Sequence, residues 1–154
     1  MDQRRAENEQ KKLFLRTYRR TKRNVAVLSD QIAELRAAKM GVSCGIGDGM
    51  PHAHAGSDLS DYAAKLDELI REMNQERYRL VQAAVLINRA INEVPEEIER
   101  YVLTKKYLLG WGWERIADGL GYSVRSVYYI HGRGLHKLQV PEDWKSEKKT
   151  EETS

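Results

Sequence analysis

Only a few of the residue groups in this 154-residue chain have the types and spacing to do chemistry. Cys44, Asp48, His52 and His54 fall within eleven positions and offer thiol, carboxylate and imidazole donors, a set that invites a metal test. Their setting is a glycine-rich run, and a single His-x-His does not make a metal site, so neither a metal nor a cofactor is expected. Cys44 has no base and orienting partner at a recognisable spacing. There is no phosphate-cradling Gly-Lys-Ser/Thr run and no arguable pair of catalytic carboxylates. The expectation is therefore a protein that is not an enzyme. The lone cysteine also excludes an internal disulfide and a thiolate zinc cage.

A third group differs in kind. Residues 121–140 carry Arg125, Arg133 and Lys137 and no acid, with Ser123, Ser126, Tyr128 and Tyr129 interleaved. Cations, hydroxyls and aromatics on one short segment suit a polyanion, above all double-stranded DNA. The net charge of +3 conceals this segregation. Residues 1–40 sum to +6, 41–94 to −3, 95–140 to +2 and 141–154 to −2. A second basic run, Arg16, Arg19, Arg20, Lys22 and Arg23, is the rival nucleic-acid site. It would either add phosphate contacts or form a solvated helix face pairing with Asp61, Asp67, Glu68 or Glu72.

The elements that must position these groups follow from periodicity. Phe14, Tyr18, Thr21, Val25, Leu28, Ile32 and Leu35 alternate spacings of four and three, an a/d stripe that predicts one long helix ending near Lys39. Tyr62, Leu66, Leu69, Met73, Glu76, Leu80, Ala83, Ile87, Ala90 and Val94 repeat the pattern and predict a second helix over 59–93, with Asp58 or Ser60 as its cap. Residues 40–58, holding five of the eleven glycines, read as a loop. Two stripes of matched length imply an antiparallel, coiled-coil-like hairpin within one chain, or a seam in a homo-oligomer.

Pro95 breaks the second helix, and three shorter helices fit beyond it: about 96–109 ended by Gly110, 113–120 ended by Gly121, and 123–138 capped by Ser123. Pro141 closes the order, and 141–154 read as a polar, disordered tail. The domain reading is thus 1–94 for the long helices, 95–140 for a DNA-binding domain, and the tail. No apolar run approaches the ~20 residues of a membrane span, and the opening MDQRRAENEQKK lacks the apolar core of a signal peptide, so a cytoplasmic protein without membrane contact is expected.

The stretch WERIADGLGYSVRSVYYI has the parts of a helix-turn-helix: small Ala117 where helices cross, Ile116, Leu120, Val127 and Ile130 facing inward, Gly121 for a left-handed turn, and Ser123 as a fresh cap. A helical hairpin in an unrelated bundle is the other arrangement this pattern allows, and it leaves the acid-free last helix without a reason. In a helix-turn-helix the start of the last helix enters the major groove. Arg125 is then the candidate for a bidentate contact to guanine, with Val124, Tyr128 and Tyr129 beside it. Arg133 lies further along the same DNA-facing side, Ser123, Ser126, Lys137 and the N-terminus of that helix would hold phosphates, and Arg16, Arg19, Arg20 and Arg23 are auxiliary contacts.

The run from Tyr101 to Leu138 resembles region 4 of sigma-70-type factors. The matching positions are Val102, Leu103, Tyr107, Gly110, Ile116, Ala117, Leu120, Gly121, Ser123, Val127, Leu135 and Leu138. Gly112 departs from the serine usual before the second helix of that domain, and Gly132 and Gly134 interrupt the third. Nothing resembles sigma region 2. With its charged first helix, its MPHAHAGSDLSDYAAKLDELI segment and its HGRGL ending, the chain resembles small phage and prophage regulators of Gram-positive bacteria, near the RinA-like and ArpU-like late-gene regulators. The resemblance implies an all-α, sequence-specific transcriptional regulator acting at the host nucleoid. The alternative it leaves is a sigma-like interaction protein that binds RNA polymerase or another regulator without DNA of its own.

Overall fold

The computed structural model describes residues 2–44 and 55–144, and every regular element among them is a helix. The all-α class expected from the sequence is what is observed. In order, α1 spans Asp2–Cys44, α2 Ala55–Asn92 and α3 Glu97–Leu103; α3 runs on into a π-helical turn, Thr104–Leu108. Then come α4, Trp113–Leu120, and α5, Val124–Lys137.

Two boundaries differ from the sequence reading. The expected loop at 40–58 is shorter, because α1 continues to Cys44 and α2 already begins at Ala55. Once a helix is nucleated each further residue adds a hydrogen bond, and Met40–Cys44 contain one glycine and no proline to stop it. The rest of that loop, with Asp48, His52 and His54, lies outside the described residues. The second difference is at the C-terminal end. Residues 142–144 form a short 3-10 turn, and Trp144, assigned above to a disordered tail, stands edge-on to Phe14 with centroids 5.5 Å apart. An indole is large enough for its burial to offset the ordering of a few polar neighbours. Residues 145–154 lie outside the described set.

The chain divides into two compact units, Met1–Arg20 with Val81–Ser154, and Thr21–Leu80. In the second, the a/d stripes supply the covered face: Thr21, Ile32 and Leu69 are buried, and Val25, Leu28, Leu35, Tyr62, Leu66 and Met73 are half-buried. The Lys39 ammonium lies 4.7 Å from the centre of the Tyr62 ring. Asn24, Val27 and Leu28 line a shallow groove together with Glu72, Gln75 and Glu76.

The first unit holds the larger core, in two clusters. One joins Phe14 and Leu15 of α1, Ile87, Ala90 and Ile91 of α2, Leu103, Tyr107, and Leu135 and Leu138 at the end of α5. The other is built from Val102, Ile116, Ala117, Val127 and Ile130, with Trp111, Trp113, Leu120 and Val124 packed against it. Each fully buried aliphatic side chain here contributes roughly 1.5–3 kcal/mol. Gly134 sits where α5 crosses α3: a Cβ there would come within 3.1 Å of Leu103 Cδ1. Lys11 of α1 donates to the carbonyls of Leu135 and His136, at 2.8 and 3.2 Å. Those carbonyls lie in the last turn of α5, where the helix dipole favours a cation.

Candidate nucleic-acid interface

The segment that positions the candidate site starts at Gly110, whose φ of +70° few other residues adopt. The Arg19 guanidinium packs against its bare α-carbon. After α4, Gly121 takes φ +68°, ending that helix in the left-handed conformation. Two residues on, Ser123 is the N-cap of α5, its Oγ accepting from the Ser126 amide at 3.1 Å. The sequence placed both glycines and the serine cap where the structure has them. Gly112 also stands as the N-cap of α4, without a side-chain hydrogen bond.

Helix α5 is two-faced. Val127, Ile130, His131, Gly134 and Leu135 are buried, while Arg125, Ser126, Tyr128, Tyr129, Gly132, Arg133 and His136 are exposed. No acid lies in its first turn, so the partial positive charge of its N-terminus is uncompensated from within. Tyr129 is 63% exposed, and the Arg125 guanidinium lies 6.0 Å from its ring centre. Tyr128 stands edge-on to Trp113, centroids 5.0 Å apart, which fixes its ring while leaving half its surface free. Of the residues the sequence reading grouped with these, Val124 is half-buried against the second cluster, and Ser123 is occupied as the cap.

Arg133 and Lys137 converge on a group that sequence reasoning missed. The Glu99 carboxylate, 2% exposed, receives Lys137 Nζ at 3.1 Å from Oε1 and 3.0 Å from Oε2, and Arg133 Nε stands 3.6 Å from Oε1. A buried carboxylate without cations would be costly, so these two side chains pin α5 onto α3. The Arg133 side chain remains largely exposed and its remaining guanidinium donors reach solvent.

The other aromatics hold cations on their faces. Trp111 lies between the Lys105 ammonium and the Arg115 guanidinium, each 4.0 Å from its centre, and Lys106 stands 4.4 Å over Trp113. Beneath them, Tyr107 Oη and His131 Nε2 are hydrogen-bonded at 2.7 Å, with the Trp113 ring 4.8 Å from the imidazole. Burial pushes the Tyr107 hydroxyl up to about 12. Burial, with the nearby charges of Lys12, Lys106 and Arg16, pulls His131 down to about 4. Burial and Arg16 also lower Lys106. The imidazole is thus neutral at physiological pH and serves the core.

The second basic run is dispersed. Arg16, Arg20 and Arg23 are exposed and form no ion pair among the described residues, and Arg19 is taken up by its contact with Gly110. Among the α2 acids named as partners for this run, Glu68 pairs with Lys65 of its own helix at 3.4 Å. No group of three metal-ligating side chains occurs among the described residues, and no described helix is long and apolar enough to cross a membrane.

Compared with known protein families, curated proteins and solved structures, the chain matches none.

Proposed function

We propose that this protein is a sequence-specific DNA-binding transcriptional regulator whose α4 and α5 act as a helix-turn-helix, with α5 lying in the major groove. The observation that carries this is the exposed face of α5. Arg125, Ser126, Tyr128 and Tyr129 stand clear of the core on the first two turns, with no acid among them, while Val127 and Ile130 fix the helix from behind. An arginine beside flat, amphipathic rings suits base edges and thymine methyls. The left-handed Gly121 and the Ser123 cap set the sharp turn such a pair of helices needs. The resemblance to sigma region 4 implies DNA-facing positions at Val124, Arg125, Tyr128 and Tyr129, and the likeness to phage late-gene regulators supplies the biological setting of this reading.

The test is selection of binding sites from a random duplex pool, followed by anisotropy on the enriched and scrambled sequences. An enriched motif is expected. Arg125→Ala should cost about 1–3 kcal/mol on that motif and relax preference at one base pair. An unchanged ratio of specific to scrambled affinity removes Arg125 from base recognition. Capture of RNA polymerase by a chain that binds no duplex would replace the DNA reading with that of a sigma-like interaction protein.

A further inference from the structure

Two open grooves meet on the outer side of α5, and they share Gly132 and His136. One, of about 310 Å³, runs along α5 itself past Tyr129 and Arg133. The other, of about 380 Å³, lies between α5 and the first turns of α1, lined by Arg4, Glu7, Asn8 and Lys11. The residue at their junction is not explained by the fold. A Cβ on Gly132 would meet nothing within 4 Å, in contrast to Gly134, whose Cβ would press on Leu103. Neither packing nor a left-handed φ calls for glycine there. Inside a helix it costs about 1 kcal/mol relative to alanine. What it does provide is bare backbone at the floor of a trough.

The charges around that floor are mostly positive. Arg4 makes no ion pair or hydrogen bond among the described residues. The hydrogen-bond partners of Lys11 are the neutral carbonyls of Leu135 and His136, not a carboxylate. Arg133 contributes from the α5 side, and Glu7 is the one acid in the lining. We propose that this trough holds a phosphodiester of the bound duplex, which makes the first turns of α1 a second element of the DNA interface. The inference rests on the DNA-binding reading and adds to it a backbone clamp, with Arg4 as the exposed cation and Gly132 as the gap that lets a phosphate oxygen approach α5.

The clamp and the base-reading face are separable by experiment. Anisotropy is measured on a mixed-sequence duplex across a salt series, for the full chain and for Arg4→Gln, Gly132→Leu and Arg125→Ala. Arg4→Gln should weaken binding about three- to tenfold on every sequence and reduce the salt slope by ~0.9, the loss of one phosphate contact. Gly132→Leu should weaken binding similarly while its melting temperature holds or rises, since a better helix former replaces glycine at an unpacked site. If both variants melt normally and bind with wild-type affinity and slope, the clamp is wrong. Should Arg125→Ala still relax base preference in that case, the DNA reading stands without it. Absence of duplex binding by the unaltered chain overturns both.

Discussion

At the residue scale, the first unit is organised by polar groups that a hydrophobic pattern does not reveal. His131 is the clearest. It is buried beside Trp113, bonded to Tyr107 at 2.7 Å, and its proton affinity is held down to about 4 by burial and by Lys12, Lys106 and Arg16. An unfolded histidine takes up a proton near pH 6.5. Between pH 6.5 and about 4, therefore, the unfolded chain binds one more proton at this residue than the folded one, and stability falls as the pH is lowered through that window. Above pH 6.5 both states are neutral and the contribution is constant. Thermal melts at pH 7 and pH 4.5 should show the chain losing roughly 2–3 kcal/mol to this group, and His131→Phe should flatten that part of the profile. Equal pH slopes for the two proteins would show that His131 is not the responsible group.

At the element scale, α5 depends on how it starts and on what crosses it. Its start was legible: a serine two residues after a glycine, followed by an apolar pattern of helical period, is a local signal, and Ser123 and Gly121 take the expected conformations. The cap predicts an order of stabilities. Ser123→Ala should lower stability by about 1 kcal/mol, a loss of several degrees in melting temperature, while Ser123→Gly should cost only a few tenths. Calorimetry without DNA decides it, and an alanine variant as stable as the parent would mean the Ser126 amide is satisfied elsewhere. What crosses α5 was not legible. Glu99 looks in sequence like one of three acids near the start of α3, and only the packing of that helix against α5 buries it beneath Arg133 and Lys137. The partners of Gly110 and of the α5 C-terminus lie about ninety and more than a hundred positions away, at Arg19 and Lys11. Periodicity reports which face of a helix is covered, not which distant side chain covers it. The extension of α1 to Cys44 escaped for a different reason: glycines weaken a helix without ending it.

At the scale of the whole molecule, burial is distributed unevenly along the two long helices. Both carry the same a/d spacing throughout, yet the outcome depends on how many elements share the apolar face. Where α1 and α2 contribute to the first unit, they join α3, the π turn, α5 and Trp144 around one cluster, and Phe14, Leu15, Ile87 and Ile91 are almost wholly buried. In Thr21–Leu80 the described residues are two helices, and most stripe residues are half-covered. Two helices cannot enclose a core from all sides, so each stripe position there yields a fraction of the ~1.5–3 kcal/mol of full burial. Regions with few buried apolar contacts open at lower free energy than the rest. Hydrogen exchange on the full chain should therefore show amides at 25–38 and 62–77 exchanging at least tenfold faster than those at 98–103 and 127–135, a gap of ~1.4 kcal/mol or more. Uniform protection along α1 would mean that the long helices are stabilised beyond what their packing within one chain supplies.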